Sequence, residues 1–120
     1  MRKVTSTIVD AFCNRRPRKC GNTRTDGTTF YLHGNAIAKW DGGKLFITLA
    51  GWDTVTTRER INGLGRTFGF SVFRDRGVTK LNVRHRDYPT GETSWGHPVE
   101  IPHGEWIQPH EYAVKYGTDQ

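Results

Sequence analysis

Cysteine is scarce in this chain of 120 residues, with Cys13 and Cys20 the only two. That excludes the disulfide framework of small secreted domains and points to free thiols in a reducing compartment. Six residues separate the pair, a wider gap than the two to four of a zinc knuckle. The five histidines, His33, His85, His97, His103 and His110, fall in no metal-ligand spacing, so no metal site is assigned. Long apolar runs are also missing, which excludes a spanning helix, and no membrane partner is expected. The basic N-terminal stretch MRKVTSTIVDAF is followed by no apolar segment that would make it a signal peptide, so a cytoplasmic location is expected. There is no Gly-rich loop of the Walker or Rossmann type, and no cofactor is assigned. No Ser-His-Asp order stands out and neither cysteine has an active-site context, so no catalytic residue is assigned. His85 and Asp87 have the spacing of a base and its orienter on one strand, but a surface contact is the plainer reading of such a pair.

What remains is a polar chain with 34% hydrophobic residues, 14 glycines and enough aromatic residues to anchor a core. Its length fits one domain covering residues 1–120. The net charge of +6 is unevenly spread. Residues 1–24 hold seven Lys or Arg against one acid, and residues 58–86 hold eight against two. Residues 87–120 reverse the balance, with one Lys against six acids. Two basic blocks and an acidic tail either form a positive face for an anionic partner or are simply solvated.

The pattern along the chain predicts an α+β fold: a small antiparallel β-sheet of two hairpins plus edge strands, with two or three short helices. Val4, Ile8 and Phe12 recur at helical spacing over 4–15, with Thr5 or Ser6 as the cap. The basic run from Arg15 to Lys19 ends that helix at Pro17, and Gly21-Asn22 opens a turn. TTFYLH, AIAKW and KLFITLA alternate as strands, the last two around the hairpin signal Asp41-Gly42-Gly43. A short helix is expected from a capping box of Thr56 and Glu59 to a left-handed cap at Gly63. RTFGFSVF and VTKLNVRHR then flank a second hairpin turn ending at Gly77. Residues 87–104 are rich in Pro and Gly and suggest an ordered loop pinned by Tyr88 and Trp95. GEWIQ has the look of a short last strand, and Pro109 opens a closing helix stopped by Gly117.

Two stretches bear on function. RTFGFSVF resembles the octamer on the third strand of RNA-recognition motifs, with Arg66, Phe68, Gly69, Phe70 and Phe73 fitting the pattern. The spacing leaves no room for the additional strand that fold requires, and Phe68 and Phe70 fit equally well as the core face of a hairpin. The other stretch is GWDTVTTRER, where Trp52 precedes a helix start that could accept a phosphate. Capping by Glu59 competes with that role.

A longer string carries a resemblance. Asn22-Thr23, Leu32-His33-Gly34-Asn35-Ala36-Ile37-Ala38, Ala50-Gly51-Trp52, and Thr54 with Thr56-Thr57-Arg58-Glu59-Arg60-Ile61-Asn62 resemble a signature in a group of small uncharacterised proteins encoded by tailed bacteriophages, and Gly104-Glu105-Trp106 resembles that group's later G-E-W. In that group LHGN-x-IA precedes AGW-x-T-x-TT-(R/K)-ER-(L/I)-N. The resemblance covers roughly residues 4–64 and implies a context: a phage early or accessory protein, of host-takeover type, acting in the host bacterial cytoplasm.

Two functions fit. The first is a small basic nucleic-acid-binding module for RNA or DNA. Its contacts would come from Arg15, Arg16, Arg18, Lys19, Arg58, Arg60, Arg66, Arg74, Arg76, Arg84 and Arg86, with Phe73 stacking on bases. The alternative is a non-enzymatic inhibitor or modulator that binds a host protein, with Trp40, Trp52 and Trp95 as anchors.

Overall fold

The computed structural model describes residues 2–86 and 89–117. Tyr88 and Asp87, and with Asp87 the His85–Asp87 pair, lie outside the described residues. The elements in order are α1 (Lys3–Cys13), β1 (Pro17–Cys20), β2 (Thr23–Asp26), β3 (Thr29–Leu32), β4 (Asn35–Asp41) and β5 (Lys44–Ile47). They are followed by α2 (Val55–Phe68), β6 (Phe70–Asp75), β7 (Val78–Arg86), β8 (Thr93–Trp95), β9 (Val99–Glu100) and α3 (Pro109–Tyr116). The class is α+β as expected, but the strand content is larger. Strands β1 to β5 form an antiparallel meander, while β7 pairs with β6 on one side and with β8 and β9 on the other.

The extra strands are β8 and β9, which lie in the stretch 87–104 expected as a loop and pair with β7, and β1 and β2, which the sequence pattern hid. β1 is exposed along its whole length, and β2 buries Thr23 and Thr25 where an apolar alternation would be looked for. Both are held by the ladder from Pro17↔Asp26 to Cys20↔Thr23 across the Gly21-Asn22 turn. Cys13 and Cys20 are free thiols. The GEWIQ stretch makes only a single bridge, Ile107 exchanging both backbone hydrogen bonds with Ile47 at 2.8 and 2.9 Å.

One apolar cluster joins the two sheets. Ile8 and Phe12 from α1, Phe30 and Ile37 from the meander, Ile61 and Leu64 from α2, and Leu81 and Val83 from β7 are essentially inaccessible. Fully burying each such side chain contributes about 1.5–3 kcal/mol, which explains how α1 docks without a side-chain cap. The helix α1 starts at Lys3 with Arg2 in the cap position and no side-chain cap. Thr5 is buried and donates its hydroxyl to Glu59 instead.

The helix α2 differs most from expectation. Its cap is Thr54, whose hydroxyl accepts from Thr57 N at 3.1 Å, and it runs through Gly63 to Phe68. Glu59 is therefore not a capping-box residue. The helix passes Gly63 because docking, not local propensity, decides its length. At Gly65 a Cβ would run into the carbonyl oxygen of Phe70, so this glycine allows the helix to lie directly on β6. The stop comes at Gly69, in the left-handed region at φ 81°, whose N–H donates to Gly65 O at 2.8 Å.

That shift dissolves the octamer. Arg66, Thr67 and Phe68 belong to the last helical turn, and the strand begins at Phe70. Phe70 is 2% exposed, and Phe68 packs edge-on against Trp40 with ring centroids 5.6 Å apart. The Phe70 ring is closed to a base, and the Phe68 ring is half-buried against the core.

Candidate functional site

The first turns of α2 divide the surface into two concave regions with different chemistry. Both are built from residues near the GWDTVTTRER stretch, yet none of the lining is shared.

The first is a cleft of about 380 Å³ between the β3–β4 turn and the start of α2. Its floor is apolar, made by Leu32, Ile37 and Leu49, all buried. One wall is the His33-Gly34 turn with Asn35 beside it, and the other carries Thr54, Thr56 and Thr57. Both residues of the turn have positive φ, 51° and 79°, as a two-residue hairpin connection with the right twist requires. Trp52 stands at the mouth and is 60% exposed. It is swung outward by a second turn in which Ala50 and Gly51 take φ values of 55° and 81°. Ala50 is uncommon in that region because its Cβ crowds the carbonyl. The turn is held by Ala50 N to Thr48 Oγ1 at 3.1 Å, Gly51 N to His103 O at 2.6 Å and Trp52 N to Leu49 O at 2.8 Å. The two segments LHGN and AGWDTVTT thus face each other across one cleft.

The second region is a groove along the outer side of α2, where the helix covers the edge of β6. Asn62 makes that cover specific, since its side-chain oxygen accepts from Val72 N at 2.7 Å and its amide donates to Val72 O at 2.8 Å. An amide side chain here does what a neighbouring strand would do, and the edge is blocked to further pairing. On one side of Asn62 and Arg66 the groove holds about 580 Å³ and is lined by Arg2, Val55, Arg58, Phe73 and Arg74, with Glu59 as its one carboxylate. On the other side it continues for about 380 Å³ between Arg84, Ser71 and Trp95. Arg84 and Trp95 are register partners across β7 and β8, so they sit side by side at that end.

The arginines of the groove are not equivalent. Arg58 pairs with Asp53, which also accepts from the Thr79 hydroxyl and lies 3.5 Å from Arg74. Burial raises the Asp53 pKa, but the hydrogen bonds from Thr79 and Arg58 and the charges of Arg58 and Arg74 outweigh it and hold the carboxyl below its ordinary value. Arg74 also donates to Gly77 O at 2.9 Å. Arg66 and Arg84 are exposed and pair with no carboxylate among the described residues.

Several expected contacts fall elsewhere. Arg60 is 3% exposed and donates to Thr23 Oγ1 at 3.0 Å, to Thr5 Oγ1 at 3.1 Å and to Glu59. It ties α2 to α1 and β2 and has no access to a phosphate. Burial also raises the Glu59 pKa, but the bonds from Thr5, Arg60 and the Arg2 backbone hold it below normal. Trp40 is half-buried: it stacks on Phe12 with centroids 5.2 Å apart and donates from Nε1 to Phe12 O at 3.1 Å. It anchors the core instead of a partner. Arg15 lies over the Trp40 ring at 4.3 Å, and Arg16, Arg18 and Lys19 are exposed on or beside the edge strand β1. None of these four lines the cleft or the groove. Arg76 projects from the β6–β7 turn, and Arg86 is exposed at the end of β7. Trp95, expected to pin a loop, is half exposed. Arg2 was missed by the sequence reading, because nothing local announces that the N-terminus meets α2.

Fold and site together define a small basic α+β protein with a positively charged groove and a separate uncharged cleft. No helix among the described residues is long and apolar enough to cross a membrane, and no cluster of metal-ligating side chains is found among them. The family model described as Kyanoviridae Gp96 protein matches residues 1–97, and the chain belongs to this family of bacteriophage proteins. No curated protein and no solved structure matches the chain.

Proposed function

We propose that this phage protein is an accessory protein that binds nucleic acid along the α2–β6 groove in the host cytoplasm. The observation that carries the reading is the groove itself: Arg2, Arg66, Arg74 and Arg84 follow one path, with Phe73 towards one end and Trp95 at the other. A positively charged track with aromatic side chains suits a single strand, whose phosphates meet the cations and whose bases stack on the rings. Phe73 is half-buried and Trp95 is half exposed, so each offers a ring face without leaving its strand. No sequence preference follows from such contacts, and RNA and DNA are both candidates. The test is a titration of a labelled single-stranded oligonucleotide at low and at moderate salt. Affinity is expected to fall steeply, with a logarithmic slope of roughly −0.7 per neutralised phosphate. No affinity even at low salt would sink the reading.

A second reading is favoured by a different surface. Trp106, Tyr112 and Tyr116 line a shallow depression with Glu105 and Glu111. Lys115 lines it too and Lys44 pairs with Glu111, so its charge is mixed; its three aromatic rings lie beyond the residues matched by the family model and suit a protein partner. A partner captured from host lysate that survives nuclease treatment and is lost on Tyr116→Ala supports it. Loss of every partner with nuclease removes it.

A further inference from the structure

We infer that the Trp52 cleft is a binding pocket for a single unstacked nucleobase. The assignment rests on what lines the cleft and on what does not. With a volume of about 380 Å³ it falls in the lower part of the range of small-ligand pockets, roughly 300–1,000 Å³. No Asp, Glu, Lys or Arg lines it, so neither a cation nor a free phosphate is matched by a fixed charge. The floor of Leu32, Ile37 and Leu49 is apolar, and the Trp52 ring stands at the mouth with more than half of its surface in water. Those features take a flat, neutral ring. The edge of that ring must find hydrogen bonds, and the wall supplies them. The Asn35 side-chain amide has no partner among the described residues and offers one donor face and one acceptor, the pairing an amide makes with a base edge. The Thr56 hydroxyl lies on the same lining, as does the His33 ring, whose Nε2 meets the Asn22 amide nitrogen at 3.3 Å.

The choice of a nucleobase over other flat rings rests in part on the groove reading. Thr54, Thr56 and Thr57 face the cleft, whereas Val55, Arg58 and Glu59 face the groove. The two therefore lie on opposite sides of one helical turn. A strand whose phosphates follow the arginines would have to cross that turn to place one base against Trp52. Unstacked bases held between an aromatic ring and an amide are a common mode of single-strand recognition.

Photo-crosslinking tests this directly. The probes are iodouridine and azidoadenosine, each as the free monophosphate and as one residue within a short single strand, with adducts mapped by peptide mass spectrometry. An adduct on the Trp52 or His33 peptide is expected. If it forms with the strand alone, the base must be presented by the groove; if the monophosphates also give it, the cleft is sufficient by itself. Either result supports the pocket. Adducts confined to Phe73 or Trp95 overturn the pocket while leaving the groove reading intact. A cleft adduct from the monophosphates in a protein that fails the salt titration keeps the pocket and removes the groove reading. Trp52→Leu should lower affinity roughly tenfold or more by removing the stacking face, whereas Trp52→Phe should retain most of it. Because Trp52 is mostly exposed, both variants are expected to fold, and an unchanged adduct yield in Trp52→Leu would overturn the assignment.

Discussion

The inner and outer faces of α2 carry arginines of opposite purpose. On the inner face Arg60 is locked among Thr5, Thr23 and Glu59 and is 3% exposed. On the outer face Arg66, six residues on, is exposed with no carboxylate partner among the described residues. Between these extremes Arg58 lines the groove but is committed to Asp53. Charge in a helix is thus divided by which neighbours the helix meets: a cation facing α1 and β2 is spent on holding the fold, and one facing solvent is free to meet an anion.

The largest effect should come from the inner face. Arg60→Ala removes the cation paired with Glu59, which keeps only its bonds from Thr5 and Arg2, and takes a donor from the buried Thr5 and Thr23 hydroxyls; removing one partner of a buried pair costs about 3 kcal/mol or more. Chemical denaturation at neutral pH measures this. The acid limb adds a sharper comparison. Because the folded pKa of Glu59 lies below its unfolded value, its contribution is complete above about pH 4.3 and is lost as pH falls through the folded value. The native protein should therefore lose stability through that range, and Arg60→Ala should show a shallower loss. Equal slopes would separate Glu59 from Arg60.

The outer face should answer in affinity, not stability. Arg66→Ala with Arg84→Ala is expected to leave the denaturation midpoint nearly unchanged. The same pair should make the salt dependence of oligonucleotide binding shallower by up to one phosphate contact per residue removed. A large loss of stability with an unaltered salt slope would erase the distinction between the two faces.

The smallest effect decides where the helix begins. Thr54→Ala should cost about 1 kcal/mol through loss of the cap, whereas Thr56→Ala should stay within roughly 0.5 kcal/mol. The reverse order would restore the capping box of Thr56 and Glu59.

Much of this protein was legible from local patterns. The α+β class, the hairpins at Asp41-Gly42-Gly43 and at Gly77, and the closing helix after Pro109 all follow from turn chemistry and period, which act over a few residues. The concentration of arginine in residues 58–86 was visible too, and four groove residues, Arg58, Arg66, Arg74 and Arg84, come from it. What could not be read was orientation. Gly63 looked like a helix stop because the contact at Gly65 that carries the helix onto β6 belongs to another element. β1 and β2 looked like coil because their pairing, and the burial of Thr23 and Thr25, exist only once the meander forms. Residue order alone determined that this chain would carry Trp52, a threonine-rich helix start and a run of arginines close together. Only the tertiary structure decided that Arg60 would turn inward, that Arg2 would join the groove, and that LHGN would close a cleft against Trp52. Each of those outcomes depends on contacts between residues far apart in the chain, and such contacts are set by packing, which no local pattern records.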